Sequence, residues 1–362
     1  MLKKLDRYII KKFMRTFFFT VLIFTMISVF IDFSEKVENF VESGITNKQI
    51  FIDYFPNFIL HIDGLLWPLF TLIAVIFFTS RMAYNSEIIS IFNAGVSFRR
   101  FMVPYMISAV FAASLLLVAN HYFIPKGNKT RLDIVHEYIW RDNDKGKTRD
   151  VHMFISPDTK IYVNFYRKRD STANKFRMER FEDGELVYLL KAHTAKWKGY
   201  PNNWSLRNYE IRHFDGLDEE LILGKGARLD TAFALTPDDF VDFLEQQTMM
   251  TTPQLRKHIQ TMRNRGVGNT QKYEIELHRR TADAFTIFIL AIIGMSIAAR
   301  KVRGGMGLHL AVGIGLGALF IFLSRFSIVF ATGQAIPVLL GIWIPNLVFS
   351  VVAIYLVSRA QK

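Results

Sequence analysis

Two apolar stretches, residues 55–79 and 101–123, are each long enough to cross a bilayer and are separated only by the insert SRMAYNSEIISIFNAGVSFRR at 80–100. Such a chain must turn tightly at one membrane face, and Arg81, Arg99 and Arg100 place that face in the cytoplasm. Within the insert, Asn85 or Ser86 is positioned to cap a helix, Glu87 falls in the first turn where the helix dipole favours an anion, and Gly95 can end it. Ile88, Ile91 and Phe92 then share one face. A short helix with an acidic start and an apolar stripe suits either a soluble cytoplasmic partner or the lipid surface.

The same reading applied outward gives six spans. The first is expected over 17–31, behind a basic lead (Lys3, Lys4, Arg7, Lys11, Lys12, Arg15), followed by a predominantly acidic external loop over 32–53. Three more apolar runs, 282–299, 308–332 and 337–357, close the chain, with Arg300, Lys301 and Arg303 between two of them and a basic tail. Both termini are therefore expected in the cytoplasm. The net charge of +13 sits largely beside these runs, a positive-inside pattern that argues against nucleic acid as a partner.

Between the third and fourth spans the character changes. Short alternating runs at 160–166, 185–190, 194–198, 204–211 and 219–223 are broken by Asp183-Gly184, 199–203 and Asp215-Gly216, which predicts an antiparallel β domain of sandwich or jelly-roll type outside the membrane. Helical patterning resumes at Thr236, and a last external helix is expected from Thr252 to Arg265. The expected organisation is three spans in 1–125 with the cytoplasmic helix at about 84–95, the β domain in 126–250, a helical connector in 251–276, and three spans in 277–362.

Motifs for chemistry are absent. The absence of cysteine excludes disulfides and a thiolate nucleophile. Gly146-Lys147-Thr148 resembles the end of a phosphate-binding loop, but Arg141 stands where the leading glycine belongs, and no metal-ligand or catalytic-serine spacing occurs. Two ionisable residues lie inside apolar runs, Asp63 and Arg325, each roughly 10 to 12 Å from the outer end of its span. Equal depth allows an ion pair, a snorkelling arginine, or an arginine facing a cavity and an anionic headgroup; Lys36, just beyond the first span, is a further cation. Gly313 and Gly317 have the small-xxx-small spacing of close helix contact.

Four segments together, LDRYIIKKF at the start, SEIISIFNAGVSFRR in the insert, YEIELHRRTADAF entering the fourth span and WIPNLVF in the sixth, resemble the lipopolysaccharide export permeases LptF and LptG over the whole chain, the LDRYI opening being more LptG-like. The resemblance implies a non-catalytic, multi-pass permease subunit of an ABC transporter in the bacterial inner membrane, with a periplasmic jelly-roll-like domain. It implies no cofactor in this chain and ATP used by a partner ATPase. The implied partners are a second permease of the family, two copies of a cytoplasmic LptB-like ATPase, a periplasmic bridge protein of LptC/LptA type, and lipopolysaccharide. By the same resemblance the insert is the coupling helix, with Glu87, Ile88, Ile91, Phe92, Ala94 and Gly95 meeting the ATPase, and Lys36, Asp63 and Arg325 are candidates for the substrate. The chain departs from the family pattern at Ala284, where a proline is common, and in the acidity of 32–53. Readings from other classes are a membrane-anchored envelope sensor and an ABC subunit that transmits force without moving a lipid.

Overall fold

The computed structural model describes residues 3–139, 148–199, 202–240, 245–266, 270–300 and 305–360. Lys301, Arg303, Gly304 and the 141–147 stretch with Arg141, Gly146 and Lys147 lie outside them. The chain divides into a helical unit (Met1–Ile139, Gln247–Leu255, Gln271–Lys362) and a sheet unit (Trp140–Gln246, Arg256–Thr270).

In the helical unit, α1 (Lys4–Ser43), α2 (Phe55–Tyr84), the short α3 (Glu87–Asn93), α4 (Phe98–Val118) and α5 (Ile124–Ile134) precede the sheet, and α8 (Gln271–Ala298), α9 (Gly305–Thr332) and α10 (Val338–Ala360) follow α6 (Gln246–Met249) and α7 (Thr252–Asn264). Six helices are long and apolar enough to cross a membrane. The most enclosed is α8, packed on α2, α4 and α10; α1 and α9 leave most of their apolar surface outside the unit.

Two element boundaries differ from expectation. Segment 32–53 is not a loop: α1 runs on to Ser43 and stops at Gly44 in the left-handed conformation (φ 72°). Its acidic residues continue the helix because Lys36 pairs with Asp32 one turn back, while Phe33 and Phe40 pack on Phe55. Likewise α8 begins at Gln271, eleven residues before the expected start at 282, because its charged first turns pair internally.

The glycine spacing on α9 is used against α2. A Cβ at Gly317 would stand 2.6 Å from Leu69 Cδ1, and one at Gly313 would overlap Ile76. Gly317→Leu is therefore expected to force the two helices apart and lower stability by about 1–3 kcal/mol, read as a drop in melting temperature of the purified protein. An unchanged melting temperature would show that α9 is free to shift.

The sheet unit is a six-stranded antiparallel sheet: β1 (Arg149–Ser156), β2 (Thr159–Arg167), β3 (Thr172–Glu182), β4 (Glu185–Gly199), β5 (Asn203–Asp215) and β6 (Asp218–Ala232), in sequential order. The expected antiparallel β domain is thus present as an up-and-down meander. Asp183-Gly184 forms a two-residue hairpin with φ of 50° and 86°, as a type I′ turn requires. Runs 185–190 and 194–198 belong to one long strand, while β1 and β3 had no counterpart in the sequence reading. One face buries Val151, Ile161, Val163, Phe176, Leu190 and Leu206. The chain after β6 folds over this core: Phe240 stacks on Tyr166 at 3.9 Å, and Trp204 donates its indole N–H to the Leu235 carbonyl at 2.9 Å.

Candidate functional site

The α3 helix is short, and its fixed orientation comes from its neighbours. Ser86 occupies the N-cap position with φ 61° and makes no side-chain cap bond, so the expected Asn85 or Ser86 cap is not formed. The other end follows expectation. Gly95, at φ 82°, donates its N–H to Phe92 O (2.9 Å) and Val96 donates to Ile91 O (3.4 Å), the paired bonds of a Schellman motif. Ser97 then caps α4 by accepting from the Arg100 backbone N–H at 3.3 Å.

The apolar stripe does not face outward. Ile88 is buried, and Ile91 and Phe92 pack on the same core, with Phe92 edge-on to Phe101 at 5.4 Å. The stripe expected to face the cytoplasm is thus turned towards the interior of the unit, Ile88 fully and Ile91 and Phe92 in part. What α3 and its ends present outward is Ile89, Ser90, Asn93, Ala94 and Gly95.

Glu87 turns towards α1. It accepts from the Tyr8 hydroxyl at 2.8 Å and from Lys12 Nζ at 3.2 Å, with Asn85 adding a longer bond at 3.4 Å. Burial raises the carboxyl pKa, and these donors outweigh it and hold it below the usual value. Two residues before Tyr8, Asp6 accepts from Arg100 Nη2 at 2.6 Å and from the Lys3 backbone N–H at 2.8 Å. The first turns of α1 are thereby tied to α3 and to the start of α4. Sequence reading assigned the basic lead to the positive-inside bias and missed this; the signal was the i, i+4 pair Tyr8/Lys12 on one helix face.

Lys36 is not a solvated lysine. Its ammonium pairs with Asp32 and donates to the Tyr54 hydroxyl at 2.7 Å, and Tyr54 donates to the other Asp32 oxygen at 2.9 Å. Two of its three N–H donors are thus used within the protein. Lys36→Gln is expected to leave the buried Asp32 carboxylate under-bonded and to cost about 2 kcal/mol in thermal unfolding, with Lys36→Arg recovering most of it. A melting temperature indifferent to Lys36→Gln would show that the pairing carries no stability.

Asp63 and Arg325 are not paired with each other. Asp63 accepts from Thr25 on α1 at 2.6 Å, whereas Arg325 lines a cavity between α2, α8, α9 and α10 together with Asp283. Equal depth did not suffice because the two side chains leave their helices towards different neighbours.

The densest polar cluster was not foreseen. Glu276, Arg279, Arg280 and Asp283 recur at i, i+3, i+4 and i+7 on α8. Arg280 is bonded to Glu276 at 3.0 Å, Thr252 Oγ1 at 3.0 Å and the Met250 carbonyl at 2.8 Å, while Asn120 donates to the Arg280 carbonyl at 3.2 Å. His121 shares Thr252 at 2.8 Å. The returning segment around 250–252 is therefore fastened to α8 by buried groups, and the charged i, i+3, i+4 spacing was the signal available in the sequence.

Comparison with known proteins gives one answer. The family described as lipopolysaccharide export system permease LptF/LptG matches residues 7–359. The lipopolysaccharide export system permease protein LptG of Haemophilus influenzae is 21% identical over 380 aligned residues, covering all of both chains. With six membrane-spanning helices, an antiparallel sheet inserted after the third and a family match over nearly its full length, the chain belongs to the LptF/LptG family of lipopolysaccharide export system permeases.

Proposed function

We propose that the protein is the permease subunit of an ABC transporter in the bacterial inner membrane, with α3 as the coupling helix on which a cytoplasmic ATPase acts. The observation that carries this reading is the double tie of α3 and α4 to the start of α1, through Glu87 and Asp6. A helix held by ion pairs to one span and by packing to two others transmits a push, whereas a helix resting on lipid has no need of such ties. In this reading the ATPase meets Ile89, Ser90, Asn93, Ala94 and Gly95, and the stripe of Ile88, Ile91 and Phe92 holds the helix to the membrane part. The cargo is lipopolysaccharide taken from the inner membrane, handed to a periplasmic bridge of LptC/LptA type, with a second permease of the family completing the cavity. Lys36, with one N–H donor unused, is the cation proposed to meet the cargo headgroup; Asp63, bonded to Thr25, holds α1 against α2 deeper in the span. ATP is consumed by the partner, and this chain carries no cofactor of its own. Both termini and α3 lie in the cytoplasm, and the sheet unit lies in the periplasm.

The test is native mass spectrometry of the protein gently extracted from its own membranes. The expected particle contains a second permease, two ATPase subunits and an adduct of lipopolysaccharide mass. A lone chain or a homodimer without ATPase, persisting in milder detergent, would replace the transporter reading with an envelope sensor.

A further inference from the structure

The cavity at Arg325 lies between α2, α8, α9 and α10 and has a volume of about 160 Å³. Leu66, Leu69, Leu290 and Phe320 give it an apolar slot, and Asp283 and Arg325 add charged groups to its lining. Because α8 and α9 are consecutive spans of opposite direction, Asp283 and Arg325 both lie towards the ends marked by Gln271 and Thr332.

Arg325 is exposed along a helix apolar enough to cross a membrane, about seven residues or roughly 10 Å from its Thr332 end. Among the described residues it makes no hydrogen bond or ion pair. Arg279, which also lines the cavity, is held by Glu276 at 2.7 Å. A guanidinium without a direct partner inside an apolar span is costly, so it calls for an anion. With Arg279 neutralised by Glu276, Arg325 is the guanidinium left facing the cavity without a direct partner, across from Asp283 and next to an apolar slot.

Size selects among amphiphilic anions. A cavity of about 150 Å³ accepts one benzene ring, so this one has room for a stretch of a single hydrocarbon chain and not for the clustered acyl chains of lipopolysaccharide. We propose that the slot holds one acyl chain of a resident anionic glycerophospholipid from the surrounding bilayer, with its phosphate on Arg325. The lipid is a structural component wedged between the α9–α10 pair and α2, separate from the exported cargo, and its presence does not depend on the export reading.

The experiment loads the delipidated full-length protein with three probes, followed by native mass spectrometry: phosphatidylglycerol, diacylglycerol (chain without phosphate) and inorganic phosphate (phosphate without chain). One phosphatidylglycerol per chain is expected to survive desolvation, with neither fragment matching it. Arg325→Gln removes a charge-assisted bond and is expected to cut that retention about tenfold. Asp283→Asn, which removes the opposing carboxylate, raises it. Ser324→Leu narrows the slot without changing charge and lowers retention of both phosphatidylglycerol and diacylglycerol. Arg325 makes no hydrogen bond that its replacement would break, so folding is expected to be intact. Wild-type retention in Arg325→Gln, displacement by inorganic phosphate, or displacement by purified lipopolysaccharide would each overturn the proposal. Association with the ATPase, read from particles extracted in parallel, reports on the export reading separately.

Discussion

Glu87→Ala is expected to abolish most cargo-dependent ATP hydrolysis and transport while leaving the fold and the melting temperature nearly unchanged. The substitution removes the acceptor for Tyr8, Lys12 and Asn85 together, and so cuts α3 loose from α1. Glu87 and Lys12 are both partly solvated, so screening limits the loss of stability to about 1 kcal/mol. The functional loss is larger because it is a loss of geometry. Lys12→Ala should reproduce it in part, since Tyr8 still holds the carboxylate, and the exchange Lys12→Glu with Glu87→Lys should restore coupling if the tie between helices is what matters. An exchange that stays inactive although both chains assemble with the ATPase would mean that the partner reads Glu87 directly. The pH dependence has a definite sign. With its folded pKa below the reference value of 4.5, Glu87 contributes its stabilisation above that value and loses it only as pH falls through the lowered folded value. Coupling should therefore be flat across neutral pH, and a midpoint near 6 to 7 in a coupling assay would have to be assigned to another group.

The second large effect is on stability. Arg280→Ala would leave the buried Glu276 with Arg279 as its one remaining cation and take the donor away from Thr252 and the Met250 carbonyl, at a cost of about 2–4 kcal/mol. The expected result is a poorly expressed protein with a melting temperature lowered by many degrees. Replacing the ion cluster together, Glu276→Leu with Arg279→Leu and Arg280→Leu, leaves no member without its partner and should recover part of that loss. The bonds to 250–252 stay lost in the triple variant, so a residual deficit measures how much of the cluster's work is to anchor the returning segment. A single variant that melts like the parent would show that water takes the place of the arginine.

Much of this architecture was legible in the sequence, and the failures share one cause. Spans announce themselves when apolar residues run uninterrupted, so α2, α4, α9 and α10 were bounded within a few residues at the membrane-spanning part. Where a membrane helix carries charge, the hydropathy signal stops before the helix does. That is why α1 was ended at 31 and α8 begun at 282: in both, carboxylates and cations one turn apart satisfy each other and the helix continues through them. The hairpin turns were legible from Asp-Gly pairs, but β3, rich in charged residues, and the short β1 were not. Glu87 in the first turn of α3 and Gly95 just past its end were placed correctly from dipole and C-cap arguments. The direction of the Ile88, Ile91 and Phe92 stripe was not, because periodicity says that residues share a face and is silent on what the face meets.

The uninterrupted length of α1 has a consequence for how little motion the machine needs. Forty residues make a rod of about 60 Å, twice the roughly 30 Å of hydrocarbon it crosses. It is gripped at one extremity, where Asp6 and Glu87 lock it to α3 and α4. A tilt of about 5° imposed there would carry the opposite extremity by about 5 Å, a whole helical turn's rise, and with it the contacts of Asp32 with Tyr54 and of Phe40 with Phe55. The first span thus has the proportions of a lever, in which a small angular input at one end would become a displacement of molecular size at the other.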